Sequence, residues 1–131
     1  MEHPAGLISR ESPHDVEETV RRFRTAAEAT GLTIFAEIDH DTGAAAVGLQ
    51  LRPTRLILFG NARGGTPLMQ AAQTAGIDLP LKVLVWEDAA GKTHIAHNDP
   101  LWIAERHGLE ALPEVRAMIQ GLANLESKAI G

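Results

Sequence analysis

Residues 81–97, which read LKVLVWEDAAGKTHIAH, decide the fold of this 131-residue chain. The apolar run from Leu81 to Trp86 predicts a strand, and a second strand is expected from Lys92 to His97. The short turn between them, Asp88–Gly91, contains a glycine and is typical of a β-hairpin. Because a hairpin pairs its strands antiparallel, we expect a mostly antiparallel sheet.

The segments before this hairpin alternate between strands and helices. Strands are expected over Ala5–Arg10, over Leu32–Ile38 and around Leu56–Phe59, where four apolar residues follow one another. Between the first two, Val16, Val20, Phe23 and Ala27 recur at spacings of four, three and four, which predicts a helix with one apolar face. Residues 42–51 suit a short helical turn better than a strand.

Three further helices are expected. Thr66-Pro67 has the cap-then-proline pattern of a helix start, so a helix is predicted from there to about Ala75. Asp99-Pro100 repeats the pattern and opens a short helix that Gly108 ends. The last helix covers about residues 112–128. The sequence therefore predicts one α+β domain over residues 1–131, with a mostly antiparallel sheet and helices packed on one face.

Composition narrows the classes of function. The chain has no cysteine, which excludes disulfides and thiolate metal sites. Seventeen acidic against 12 basic side chains give a net charge of −5, which disfavours nucleic acid as a partner. The N-terminal residues do not resemble a signal peptide, and no apolar run reaches the about 18 residues of a membrane span, so we expect a cytoplasmic protein that does not enter a membrane.

Several short segments together resemble the bacterial family called domain of unknown function 302. They are residues 38–40, 59–61, 64–69, 79–80, 83–87 and 98–100, within a shared stretch from about Arg10 to Gly108. The family has no established activity. The resemblance implies a fold similar to the TATA-binding-protein-like class, with the theme strand, helix, four strands, helix, and it implies a homodimer. The last helix lies outside the shared stretch.

The loop Gly60–Thr66 is the first candidate site. It joins a buried strand to the predicted helix start, where backbone amides and the helix dipole can bind an anion. Asn61, Arg63, Gly64, Gly65 and Thr66 are the candidate ligand-binding residues here. The lysine of a nucleotide-binding phosphate loop is missing, and a tight turn that merely needs glycine explains the same residues.

Polar residues at strand ends form the second candidate. His40 lies between two aspartates, and His97 precedes Asn98 and Asp99. Each histidine could be a metal ligand or a general base, although Asp39 and Asp99 also suit helix capping. His94 and His97 are three apart and would point to opposite faces of a strand, so no metal site is assigned to them.

These residues support three hypotheses. The favoured one is a non-catalytic, dimeric domain that binds a small apolar or anionic ligand between the sheet and a helix, with no cofactor identified. The second is a metal-binding or hydrolytic enzyme built on His40 with Asn61, His97 and Asp99. The third is a structural or partner-binding module with an exposed apolar patch, for which the last helix is the expected source.

Overall fold

A computed structural model describes residues 3–131. The strands are β1 (Leu7–Ser12), β2 (Thr33–Asp39), β3 (Thr54–Gly60), β4 (Leu81–Glu87) and β5 (Thr93–Asn98). The helices are α1 (Val16–Ala29), α2 (His40–Ala46), α3 (Ala62–Ala71), α4 (Pro100–Arg106) and α5 (Pro113–Ile130), with a 3₁₀ turn over Gln73–Ile77. Within these residues no helix is both long and apolar enough to cross a lipid bilayer.

The five strands form one antiparallel sheet in the order β1-β5-β4-β3-β2. The β4–β5 hairpin is near its centre, which confirms the predicted α+β class. At the hairpin turn, Asp88 Oδ1 accepts hydrogen bonds from the amides of Ala90 and Lys92 at 2.8 and 3.0 Å. A hydrogen bond from the His94 ring, together with those amides, lowers the pKa of Asp88 to about 2. The Asp88 carboxylate therefore ties the turn together through hydrogen bonds to both of its sides.

Helix α1 covers one face of the sheet, the core face, as its apolar stripe predicts. Phe23 is fully buried, and its ring meets Phe59 of β3 edge to face with 5.0 Å between the centroids. The strands contribute Ile57, Val83 and Ile95 to the same cluster. Removing a buried aromatic side chain of this kind costs about 3–5 kcal/mol, so this contact is a large part of the stability of the domain.

Helix α5 lies beside α1 on the core face. Its C-terminal half buries Leu122, Leu125 and Ala129 in the cluster that contains Phe23. Its N-terminal half packs through Val115 into a second cluster with Leu68 of α3 and Ala104 of α4. The predicted last helix of residues 112–128 is therefore present, and it spans two apolar clusters.

The opposite face of the sheet, here called the outer sheet face, carries Ile38, Leu56, Leu58, Leu84 and Trp86. Their shared face follows from the register, in which Ile38 pairs with Leu56 and Leu56 pairs with Leu84. None of the five is fully buried, and 40% of Ile38 is exposed. The last helix, where we expected an exposed apolar patch, exposes Ile119 to 37%, whereas Ile38 on this face is exposed to 40% and the other four residues are half-buried.

Two predicted helix boundaries need correction. Residues 42–51 do contain a helical turn, α2, but it begins earlier, at His40. The helix expected to start at Thr66-Pro67 begins five residues earlier, because Asn61 and not Thr66 is its cap. Pro67 consequently lies inside α3, where it lacks the amide that would bond to a carbonyl one turn earlier.

Candidate functional site

A cavity of about 550 Å³ lies between α3, α5 and the adjoining ends of β3 and β4. A volume of this size falls within the range of about 300–1,000 Å³ that small-molecule sites occupy. Most of the lining side chains are apolar, and they are Leu32, Phe59, Ala62, Met69, Leu79, Pro80, Leu81, Ala117, Met118, Leu122 and Leu125. The space is therefore suited to an apolar ligand.

The cavity lies where the two apolar clusters meet. Phe59 and Leu122 belong to the cluster between the sheet, α1 and α5. Met69 and Met118 pack against the second cluster, around Leu68. Protein interiors are normally close packed, with few voids larger than a water molecule, so a gap of this size between two clusters is unusual. The flexible methionine side chains on its wall can adapt to ligands of different shape.

Glycines in two helices keep this space open. Gly64 and Gly65 of α3 and Gly121 of α5 all line the cavity. A Cβ atom at Gly121 would meet nothing within 4 Å. Because glycine in a helix costs about 0.5–1 kcal/mol relative to alanine, α5 gives up stability at a position where a side chain would fit. The missing side chain leaves room for a ligand.

Four of the five candidate ligand-binding residues of the predicted glycine loop line this cavity. Asn61 begins α3, since its Oδ1 accepts a hydrogen bond from the Gly64 amide at 2.8 Å. Arg63, Gly64 and Gly65 follow in the first turn and line the space. Thr66, the fifth residue, does not line it. The loop is thus the start of a helix, capped by Asn61, that forms part of the wall of an apolar cavity.

Two backbone amides at the start of α3 already donate hydrogen bonds within the chain, so they are not free to bind an anion. The Gly64 amide bonds to the Asn61 side chain, and the Gly65 amide bonds to the Asn61 carbonyl at 3.2 Å. The acidic residue Glu114 lines the same cavity. Glu114 repels an anion, and the opposite charge of Arg63 is exposed to solvent, so of the two ligand types that the sequence suggested, the geometry favours the apolar one.

Glu114 lies in the first turn of α5, and the sequence analysis missed it. Its Oε2 atom is buried and accepts no hydrogen bond from any of the residues that the structure describes. Arg63 is the other charged residue of the lining, and its side chain is exposed. Glu114, Met118 and Gly121 are spaced by four and three residues, so they lie on one face of α5. An acidic residue and a glycine on a helix face that also carries apolar residues is the sequence pattern that could have indicated this wall of the cavity.

His97 does not reach this cavity and is buried elsewhere in the core. Its Nδ1 lies 2.7 Å from Glu126 Oε2, and both side chains are almost fully buried. The pair links β5 to α5. Removing one partner of a buried pair typically costs about 3–5 kcal/mol, because the other polar group is left unpaired. The geometry therefore gives His97 a structural role as the polar attachment of α5 to the sheet.

The other strand-end residues are dispersed. His40 is exposed at the start of α2, and β3 and β4 separate its neighbouring strand from β5, a distance of roughly 14 Å. Asp99 caps α4 by accepting a hydrogen bond from the Leu101 amide at 2.9 Å, and Asn98 pairs with Leu7. Residues 3–131 contain no cluster of three or more potential metal ligands of the His, Cys, Asp and Glu types. The grouping of His40 with Asn61, His97 and Asp99 is not formed.

Comparison with known proteins gives a family and a fold. The family model described as "Domain of unknown function DUF302" matches residues 8–125, a stretch that extends into α5 as far as Leu125. The crystal structure of an uncharacterized conserved DUF302 protein from Bacillus stearothermophilus superimposes with a TM-score of 0.85. The match covers 96% of this chain and 99% of that one at 15% sequence identity, so the likeness concerns the fold.

Two curated relatives come from Brucella. A protein of Brucella suis biovar 1 (strain 1330) named "Fluoride-specific ion channel FluC 1" is 43% identical over 129 residues, which are 97% of this chain and 51% of that protein. A protein of the same name from Brucella abortus biovar 1 (strain 9-941) is also 43% identical, over 48% of its length. The chain thus spans about half the length of these relatives.

Proposed function

The chain belongs to the family of the domain of unknown function DUF302, and from that premise we propose that it is a non-catalytic binding domain for a small apolar ligand. The observation that carries this proposal is the cavity between α3 and α5, with its apolar lining and its helical glycines. Asn61, Arg63, Gly64 and Gly65 line the proposed site. The proposed location is the cytoplasm, with which the absence of cysteine is compatible.

A second part of the proposal concerns association between two copies. The outer sheet face presents Ile38, Leu56 and Leu84 on a surface that α1 and α5 leave free. Phe35, at a bulge in β2, is 54% exposed, and Val47, Leu49 and Leu51 after α2 are also exposed. Exposed apolar residues marking interaction sites in this way support a partner on this side of the chain. A homodimer formed face to face would cover it with the same residues from each copy.

The Brucella relatives suggest another candidate function. Because their name is that of a fluoride-specific ion channel and this chain matches about half of each, the domain could serve as a module of a channel protein. This candidate rests on the 43% identity over 129 residues. It is compatible with ligand binding, since a module attached to a channel can also hold a small molecule.

Thermal unfolding with a neutral apolar probe tests the ligand site. A ligand at ten times its Kd adds about 1.4 kcal/mol to the free energy of unfolding, so 1-hexanol at that level is expected to raise Tm by roughly 5 °C. Gly121→Leu places a side chain inside the cavity and should reduce this rise. Gly43→Leu is the matched control, because Gly43 is also helical with nothing within 4 Å of its Cβ, but lies in α2.

Both substitutions remove a helical glycine, so each variant alone is expected to be at least as stable as the natural chain. An undiminished hexanol effect in Gly121→Leu, or its loss in Gly43→Leu, would show that the alcohol binds elsewhere. No rise in Tm with hexanol or other small apolar probes would contradict the proposed function.

Sedimentation velocity tests the dimer. The natural chain is expected to sediment as a dimer at micromolar concentration, and Ile38→Lys as a monomer, because the interface would have to bury an unpaired ammonium group. Ile77→Lys is the control, since Ile77 is 74% exposed in the 3₁₀ turn away from the sheet face. A monomeric natural chain, or a dimer that Ile38→Lys leaves intact, contradicts this interface.

Co-purification tests the channel candidate. The tagged chain is expressed with the part of the Brucella suis relative that lies outside the matched stretch. Recovery of both from detergent extracts in a fixed ratio is the expected result. If the chain is recovered without that part at every expression level and salt concentration, the chain is not a module that binds to it.

A further inference from the structure

Glu114 is the feature of the cavity that an apolar ligand alone does not explain. It lies beside Met118 and Gly121 on the face of α5 that lines the space. Its Oε2 atom is buried and has no hydrogen-bond partner among the residues that the structure describes. Buried polar atoms are almost always hydrogen bonded in folded proteins. An acceptor without a donor at the wall of a cavity therefore indicates that a ligand in the cavity supplies the donor.

The position of Glu114 in its helix explains only part of this arrangement. An acidic residue in the first turn of a helix is favoured by the helix dipole. That interaction does not supply a donor to Oε2, and the N-cap residue of α5, Leu112, forms no capping hydrogen bond through its side chain. The carboxyl group therefore retains an unused capacity to accept a hydrogen bond from a molecule inside the cavity.

We propose that the cavity binds an apolar molecule that carries a protonated amine, and that Glu114 Oε2 accepts a hydrogen bond from the ammonium group. This inference rests on the proposed function and specifies the ligand of the same site. An ammonium group is the best complement of a carboxylate, because the resulting hydrogen bond is charge-assisted and about twice as strong as a neutral one. The rest of the molecule would contact the apolar wall.

The charges around the cavity orient such a ligand. Arg63 and Glu114 are the charged residues of the lining, and they have opposite signs. Arg63 repels an ammonium group, so the amine must lie against Glu114, with the hydrocarbon part toward Met69 and Leu79. A carboxylate of the same length would be repelled by Glu114, and the attraction of Arg63 is weaker because that side chain is exposed to solvent, so the carboxylate should bind most weakly.

Calorimetry with three probes of equal chain length tests this assignment. Hexylamine, 1-hexanol and hexanoate are titrated into the natural chain at pH 7. Hexylamine is expected to bind about tenfold more tightly than hexanol, since both donors can bond to the carboxylate but only the ammonium group carries the opposite charge. Hexanoate is expected to bind more weakly than hexanol.

Substitution at Glu114 assigns the preference to that residue. Glu114→Gln should remove the advantage of hexylamine, because the amide keeps an acceptor oxygen but carries no charge. Cooperative thermal unfolding of the variant reports that it is folded. Glu105→Gln is the matched control, since it removes one negative charge from an exposed position on α4 and should leave the preference for hexylamine unchanged.

The outcomes separate this inference from the proposed function. Hexanol binding without any advantage for hexylamine overturns the amine assignment and leaves the apolar site intact. An advantage that survives Glu114→Gln, or that Glu105→Gln also removes, shows that the net charge of −5 attracts the amine and overturns the role of Glu114. Failure of all three probes to bind overturns both.

Discussion

The attachment of α5 to the core face of the sheet is the constraint on which the rest of this structure depends. Leu122 and Leu125 bury the C-terminal half of the helix beside α1, and Glu126 fixes it to β5 through His97. The N-terminal half is held instead by the second apolar cluster, through Val115. One helix thus spans two clusters, and the cavity is the space that remains where they meet.

Local patterns were sufficient to predict most elements of the fold. The spacing of Val16, Val20 and Phe23 identified the buried face of α1, and the residues around the Asp88 turn identified the central hairpin. The start of α3 was placed wrongly because two cap patterns compete there. Thr66-Pro67 is a good pattern locally, but Asn61 forms the cap in the structure. Only the folded chain shows which of the two is used.

The sequence was sufficient to predict one of the two walls of the candidate site. Asn61, Arg63, Gly64 and Gly65 are local to one loop, so a search for glycine-bearing turns found them. The other wall comes from α5, about fifty residues later, and no local rule pairs Glu114 or Gly121 with that loop.

Asp99 shows the converse case, since its cap pattern predicted the helix start correctly and the residue caps α4 in the structure. The cavity and the outer sheet face lie on opposite sides of the sheet, so a ligand and a partner could be bound together.

The most direct test of the ligand site is methyl NMR of the natural chain during titration with 1-hexanol. The account predicts that the methyl resonances of Met69, Met118 and Leu122, which line the cavity, shift in a saturable manner. Those of Ile38 and Leu84 on the outer sheet face should not move. Shifts confined to the outer sheet face, or no saturable shift at either methionine, would contradict the claim that the space between α3 and α5 is the binding site.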